Sequence, residues 1–192
     1  RFKKFQFNSL ELIIARSGYS KQGGFEIYVD DFSQGEMIWD TLFEAGQGLD
    51  VRAGCPNLIE RIESGLLSFG SDMTNENTPH ESGLSKFCDT RNAIKCVGRD
   101  ALLKEIEIGP WRQIRSLSIS GPPVPPCRNA WEVWANNVYV GRVSSAAWSP
   151  DHQTNVGLGM IHRDHWEPNT IVTVETPEGP REANIASGPF NS

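Results

Sequence analysis

The sequence predicts an α+β fold in two parts, because its residue patterns change a little past the middle of the chain. Up to residue 108, apolar residues recur at helical spacing in three segments that lie among short strands. Beyond it, strand-like runs alternate with turns rich in Gly, Pro and Asn, which is typical of a β-barrel or sandwich. A chain of 192 residues is long enough to bury two such cores. We therefore expect an α+β region over 1–108 and an all-β barrel domain over 109–192.

Two strands are expected early in the first part. The run "LELIIA" at 10–15 reads as a core strand, and the segment 25–29 alternates strictly between apolar and polar residues. Three apolar residues share one face of the second strand: Phe25, Ile27 and Val29. Glu26 and Tyr28 share the other face.

Three helices are predicted by 3.6-residue periodicity, within 33–48, 56–63 and 98–109. The first carries an apolar stripe formed by Ile38, Leu42 and Ala45. We expect the apolar face of the preceding strand to pack beneath this helix, next to Trp39 and Phe43.

The second part reads as a series of strands joined by tight turns. Asn136 and Asn137 tolerate positive φ and predict a hairpin. Trp131 and Trp134 are three residues apart on one strand, so they should face opposite sides, with one of them in the core.

Composition excludes several functional classes. The net charge of −6 argues against a nucleic-acid partner, and no apolar run is long enough for a membrane span. The four cysteines form no C-x-x-C motif, which gives no support for zinc or redox chemistry and indicates reduced thiols in a cytoplasmic protein. His162 and His165 are interpreted as a surface corner rather than metal ligands, so no metal site is expected.

The first residues predict where in a domain the chain starts. It opens with Arg1 and enters a strand directly, without capping or turn residues. We therefore expect a chain that starts in the middle of a domain.

Glu26 and Tyr28 are the main candidates for a binding site. One interpretation is that both face solvent, as on any half-buried antiparallel strand. The other requires a ligand with adjacent N–H donors, such as a pterin or guanine edge, because a carboxylate accepts two parallel hydrogen bonds while a tyrosine ring offers a stacking surface.

Several motifs resemble the folate-dependent aminomethyltransferase family of the glycine cleavage system. They are "RSGYSKQGGFEIYV" at 16–29, "NLIERIESGLLSFGSDMTNENTPHESGL" at 57–84, and "VGRVSSAAWSP" and "NVGLGMI" in the β-rich tail. The resemblance covers essentially the whole chain in the same order. It implies a ring of three lobes with tetrahydrofolate in the central channel, of which this chain is roughly the C-terminal half, ending in the barrel.

The resemblance also assigns roles to residues. Glu26 matches the family carboxylate that holds the amino edge of the pterin, and Tyr28 and Tyr19 match aromatic residues beside the folate. The family's catalytic aspartate lies in the N-terminal half, so no catalytic residue is expected here. Asp72 is expected to cap its own loop, and Arg128 is expected to be a solvated loop arginine.

Within the family, "SKQGGFEIYV" and "CVGRDALLKE" are similar to the branch that demethylates dimethylsulfoniopropionate. This implies methyl transfer to tetrahydrofolate, giving 5-methyltetrahydrofolate and 3-methylthiopropionate, with the missing N-terminal half of the same chain as partner. The chain alone is expected to be inactive, and a homodimer is left open.

Two alternatives to demethylation are kept. Aminomethyl transfer is disfavoured because Asn57 replaces a folate-contacting arginine, and a non-catalytic folate-binding module is disfavoured because the motif K-G-C-Y-x-G-Q is missing.

Overall fold

The computed structural model describes residues 2–7, 9–17, 23–55, 57–92 and 96–191. Within these ranges, the chain forms nine strands and three α-helices, besides three single-turn 3₁₀ helices. The strands are β1 Phe2–Phe7, β2 Leu10–Ala15, β3 Glu26–Tyr28, β4 Arg112–Ile119, β5 Trp131–Ala135, β6 Val138–Ser149, β7 Thr154–His162, β8 Ile171–Thr176 and β9 Gly179–Ile185. The α-helices are α1 Gly35–Ala45, α2 Leu58–Glu63 and α3 Arg99–Ile108. None of the helices in these ranges has the length and apolar character needed to cross a membrane.

Backbone contacts divide the chain into two compact units, unit 1 (Arg1–Asn57) and unit 2 (Leu58–Ser192). This division falls immediately before α2. The domain boundary predicted near residue 108 lies inside unit 2, at the end of α3, and stays a prediction.

Unit 1 contains an antiparallel sheet with the strand order β1-β2-β3. Its register places Phe5 opposite Leu12 and Ala15 opposite Glu26. Leu12 is buried and Ile14 is half-buried, whereas Ile13 between them is 41% exposed. The alternation of side chains along β2 therefore gives the sheet one buried and one open face.

Helix α1 forms where its apolar periodicity predicts it, but its buried stripe is narrower than expected. Ile38 is buried, while Leu42 is 41% exposed and Trp39 is 52% exposed. The rings of Trp39 and Phe43 pack against each other in a tilted arrangement, with their centroids 4.6 Å apart. The helix ends before Gly46, in agreement with the predicted stop.

Unit 2 is dominated by a closed six-stranded barrel with the order β4-β7-β6-β5-β8-β9, in which β9 pairs back onto β4. This confirms the predicted all-β barrel. Inward-facing residues alternate with exposed ones along β5, where Trp131, Val133 and Ala135 are buried and Glu132 is exposed. Trp131 lies in the core and Trp134 on the opposite face, as predicted.

Two local features shape the hairpins of the barrel. Asn136 and Asn137 adopt φ values of 50° and 62°, so the predicted tight turn between β5 and β6 is confirmed. In β6, Gly141 has a φ of 156°, and a Cβ atom at this position would lie 2.1 Å from the carbonyl oxygen of Met160. The close approach of β6 to β7 therefore requires glycine.

Candidate functional site

Glu26 and Tyr28 lie on β3 and point to the same side of the sheet of unit 1. Ile27 points to the opposite side, because successive side chains of a strand alternate between the two faces of a sheet. In the antiparallel register, Tyr28 is paired with Ile13 and Ile27 with Ile14. Glu26 is exposed, Tyr28 is 50% exposed, and Ile27 between them is half-buried. The predicted sharing of one face by the carboxylate and the phenol ring is therefore observed in the strand.

The Glu26 carboxylate accepts a hydrogen bond from a residue that follows the neighbouring strand β2. The Ser17 hydroxyl, two residues beyond the end of β2, donates a hydrogen bond to Oε2 of Glu26. This bond restrains the rotamer of the carboxylate on an otherwise open surface. A carboxylate fixed in this way can accept parallel hydrogen bonds from a ligand with two adjacent N–H groups.

Phe25 does not behave as predicted. Its side chain is 67% exposed, and the Arg16 guanidinium lies 4.8 Å from the centre of its ring. The prediction that Phe25 packs with Ile27 under the first helix is therefore wrong. The physical reason is that β3 begins only at Glu26, so Phe25 precedes the ladder that would turn its side chain inward.

Tyr19, the third residue predicted for this site, lies outside the described residues. Its assignment as an aromatic wall stays a prediction. A cavity of about 650 Å³ in unit 1 lies instead at the end of α1, between Phe43 and Val51, and neither Glu26 nor Tyr28 lines it.

Unit 2 contains a buried ionic cluster that the sequence analysis missed. Arg61 Nη1 lies 2.8 Å from Asp72 Oδ2, and both side chains are almost fully buried. Asp72 also accepts a hydrogen bond from the Ser68 N–H at 2.8 Å, so its predicted role of capping its own loop is present as well. The signal for the cluster was Arg61 itself, because an arginine inside the helical pattern of α2 needs an anionic partner when that helix is buried.

A β-bulge in β6 completes this cluster. The register on β7 shifts between Val143 and Ser145, which leaves Ser144 as an extra residue. Consecutive residues of a regular strand point to opposite faces, yet both hydroxyls donate to Asp72 Oδ1, from Ser144 at 2.7 Å and from Ser145 at 2.6 Å. The bulge thus brings two donors to one carboxylate oxygen.

A second buried carboxylate ties α2 to the barrel. Glu63 is 2% exposed and accepts hydrogen bonds from the Ser149 hydroxyl at 2.6 Å and from the Asn191 amide at 2.8 Å. Both contacts are between residues far apart in the chain. These bonds satisfy a buried charge, as its burial requires.

The remaining candidates lie at the surface of unit 2. Arg128 is exposed on the wall of a cleft of about 690 Å³ that also contains Arg142. His162 precedes the single-turn helix Arg163–His165 and His165 ends it, and His162 Nδ1 lies 3.4 Å from the Asp164 carboxylate. Among the described residues, no group of three or more His, Cys, Asp or Glu side chains is arranged to hold a metal ion.

Comparison with known proteins identifies the family. Residues 1–92 match the model of the GCVT N-terminal domain, and residues 112–191 match that of the glycine cleavage T-protein C-terminal barrel domain. The chain belongs to the glycine cleavage T-protein family. The second match coincides with the six barrel strands, β4 to β9, which confirms the fold class.

Individual T-protein relatives differ in how similar they are. A dimethylsulfoniopropionate demethylase from Ruegeria pomeroyi is 52% identical over 98% of this chain and 51% of its own length. An aminomethyltransferase from Prochlorococcus marinus is 29% identical over 95% of this chain and 48% of its own length. The crystal structure of the glycine cleavage system aminomethyltransferase T from Bartonella henselae superposes with a TM-score of 0.76 at 26% identity, covering 93% of this chain and 49% of that one. The chain spans about half the length of the T-protein relatives it matches.

Proposed function

We propose that this chain is the folate-binding part of an enzyme that demethylates dimethylsulfoniopropionate. In this reaction a methyl group leaves the sulfonium sulfur and bonds to N5 of tetrahydrofolate, whose N5 proton passes to solvent. The products are 3-methylthiopropionate and 5-methyltetrahydrofolate. The observation that carries the proposal is the 52% identity to the Ruegeria demethylase, against 29% to the Prochlorococcus aminomethyltransferase, over nearly the same length of this chain.

The residues on β3 fit the pterin ring of tetrahydrofolate. The Glu26 carboxylate is exposed and restrained by Ser17, so its two oxygens can accept hydrogen bonds from the 2-amino and N3–H groups of a pterin. The half-exposed ring of Tyr28 lies on the same face of the strand and offers an apolar surface to a flat ligand. Tetrahydrofolate, when bound, supplies the nucleophile at N5.

In this proposal Glu26 and Tyr28 orient the acceptor and move no proton. A sulfonium is already a good leaving group, so the displacement needs little acid–base assistance. Orientation of the reacting atoms can supply roughly 7–11 kcal/mol of the barrier. The geometry of the carboxylate and the ring is therefore the contribution we assign to this chain.

Two other functions remain as alternatives. Aminomethyl transfer would be the family activity, but Asn57 stands where that branch is expected to carry a folate-contacting arginine. A non-catalytic folate-binding module would retain the Glu26 site without methyl transfer.

We place the reaction in the cytoplasm, because all four cysteines are unpaired, as expected for a reducing compartment. We further propose that catalysis requires a second segment of similar length, because the relatives are about twice as long as this chain.

The decisive experiment replaces the matching half of the Ruegeria demethylase with residues 1–192. The purified chimera is supplied with dimethylsulfoniopropionate and tetrahydrofolate, and both products are measured. We expect release of 3-methylthiopropionate in step with formation of 5-methyltetrahydrofolate. A folded chimera that binds tetrahydrofolate without turnover would favour the non-catalytic module, and aminomethyl transfer would favour the glycine cleavage activity.

The same chimera tests the role of Glu26. Glu26→Gln keeps the shape of the side chain but removes its charge and turns one acceptor into a donor. We expect a loss of about 1.5–3 kcal/mol in tetrahydrofolate binding, or roughly 10- to 100-fold in Kd. Glu36→Gln, at an exposed glutamate in the first turn of α1, is the matched control and should leave Kd unchanged. An unchanged Kd in Glu26→Gln would remove Glu26 from the site.

A further inference from the structure

Unit 2 contains a cavity of about 390 Å³ that the proposed methyl transfer does not use. It lies between the loop 80–91, the second half of α3 and the start of β4. Its wall combines hydrogen-bonding, charged and apolar side chains. Those that matter for the argument are His80, Ser85, Asp89, Arg91, Ile106 and Pro110.

The backbone at His80 is fixed by the first residues of β4. The Gln113 side chain donates to the His80 carbonyl at 2.8 Å, and the Ile114 N–H donates to the Glu81 carbonyl at 2.8 Å. The Arg112 guanidinium pairs with the Glu81 carboxylate at 2.9 Å. The cavity wall that carries His80 is therefore held rigidly against the barrel.

The imidazole of His80 has an unused polar atom. Its side chain is 6% exposed, and its Nδ1 lies 2.9 Å from the Ser85 hydroxyl. Its Nε2 is buried and has no hydrogen-bond partner among the described residues. A buried polar group without a partner costs roughly 1–3 kcal/mol, so a ligand that bonded to Nε2 would recover this free energy.

The hydrogen bond to Ser85 is compatible with either tautomer of the ring. If the Ser85 hydroxyl donates to Nδ1, the ring proton lies on Nε2, which is then a donor. If Nδ1–H donates instead, the proton of the exposed Ser85 hydroxyl bonds to solvent and Nε2 is an acceptor. A ligand that accepts a hydrogen bond selects the first tautomer.

The rest of the wall determines which ligand would accept from this donor. Arg91 adds a positive charge that offsets the Asp89 carboxylate, whose two oxygens accept hydrogen bonds from the Asn92 side chain at 3.1 Å. Ile106 and Pro110 give the opposite side of the cavity an apolar character. We propose that this cavity binds a short alkyl carboxylate, with its carboxylate on His80 Nε2 and Arg91 and its alkyl chain on Ile106 and Pro110.

The proposal is tested by titrating the protein with propionate while the backbone amide signals of residues 85–91 are followed by NMR. We expect saturable shifts with a Kd on the order of 1 mM, an affinity that is attainable for a ligand of this size. Propionamide, which keeps the shape but lacks the charge, should bind roughly tenfold more weakly. Sulfate, which lacks the alkyl chain, should also bind more weakly than propionate.

Variants separate the cavity from general anion binding. His80→Phe keeps a ring in place and removes the donor, so we expect it to weaken propionate binding by roughly tenfold or more. His165→Phe, at a histidine outside the cavity, is the matched control and should bind as the unaltered protein does. Arg91→Ala changes an exposed residue, so we expect it to fold as the unaltered protein does and to weaken binding of propionate but not of propionamide.

Three results would overturn the proposal. The first is the absence of saturable shifts at concentrations about a hundredfold above the expected Kd, which would mean that the cavity holds only water. The second is equal binding of propionate by the protein and by both cavity variants. The third is equal binding of sulfate and propionate, since the apolar wall would then make no contribution.

Discussion

Arg61 donates a hydrogen bond to Asp72 at 2.8 Å, and the two side chains are 7% and 0% exposed. Asp72 receives three further hydrogen bonds, so its charge is fully compensated. These contacts join α2, the loop after it and the bulge of β6 into one cluster. Such a cluster is costly to break, because removing either charge leaves the other buried and unpaired.

Asp72→Asn should therefore destabilise unit 2 strongly. The substitution removes the negative charge opposite Arg61 and places an amide donor among donors. We expect the free energy of unfolding to fall by about 3–5 kcal/mol, measured by urea denaturation. Asp100→Asn is the control, since Asp100 is 99% exposed and 3.8 Å from Arg99, and it should change stability by less than about 1 kcal/mol. Equal losses in the two variants would contradict this account.

Gly141→Ala should disrupt the approach of β6 to β7. The added Cβ would lie 2.1 Å from the Met160 carbonyl oxygen, so the backbone would have to shift. Gly179→Ala provides the comparison, because Gly179 also has a positive φ, at 116°, but open space around it. We expect Gly179→Ala to cost about 1–2 kcal/mol and Gly141→Ala to exceed it by about 2 kcal/mol in thermal or chemical unfolding. Similar losses would mean that strand β6 relaxes without cost.

Cys127 should react slowly with thiol reagents. Burial, with a smaller contribution from the nearby Asp72, raises the pKa of its thiol to about 11. At pH 8 only about one thiol in a thousand would be ionised, because each pH unit below the pKa lowers the thiolate fraction tenfold. Iodoacetamide should therefore label the exposed Cys55 and Cys96 first, and mass spectrometry of the digested protein measures the order. Labelling of Cys127 as fast as Cys55 would contradict the prediction.

The same thiol predicts a pH dependence of stability. The folded chain holds the Cys127 proton more tightly than the unfolded chain, whose pKa is near 9.0. The contribution is thus fully present below pH 9.0 and is lost as the pH rises through about 11. Cys127→Ala should flatten the fall in free energy of unfolding over this window. If the variant keeps the full slope, other groups are responsible.

Tyr28 should contribute to folate binding through its ring rather than its hydroxyl. In the chimera with the Ruegeria half, we expect Tyr28→Phe to leave the Kd for tetrahydrofolate nearly unchanged. Tyr28→Ala should weaken binding by about 0.5–1.5 kcal/mol, or roughly 2- to 10-fold. An equal loss of affinity in both variants would show that the hydroxyl is the group that matters, and an unchanged Kd in both would remove Tyr28 from the site.

Local patterns were sufficient to predict much of this protein. Alternation placed Trp131 and Trp134 on opposite faces of β5, Asn136 and Asn137 indicated the hairpin, and the periodicity of 98–109 predicted α3 to within one residue at each end. Each of these features depends only on residues that are close together in the chain, because backbone dihedral angles determine their local geometry. The placement of Glu26 and Tyr28 on one face of β3 follows in the same way.

The tertiary structure alone decided which distant polar groups meet. Asp72 contacts Ser145, 73 residues away, only because a one-residue bulge turns two consecutive serines of β6 to the same side. Phe25 is exposed because the ladder of β3 starts one residue later than its alternation suggested. The unpaired Nε2 of His80 likewise depends on how its loop is fixed to β4. Sequence periodicity specifies the face on which a side chain lies, but register shifts and the ends of strands determine what it meets there.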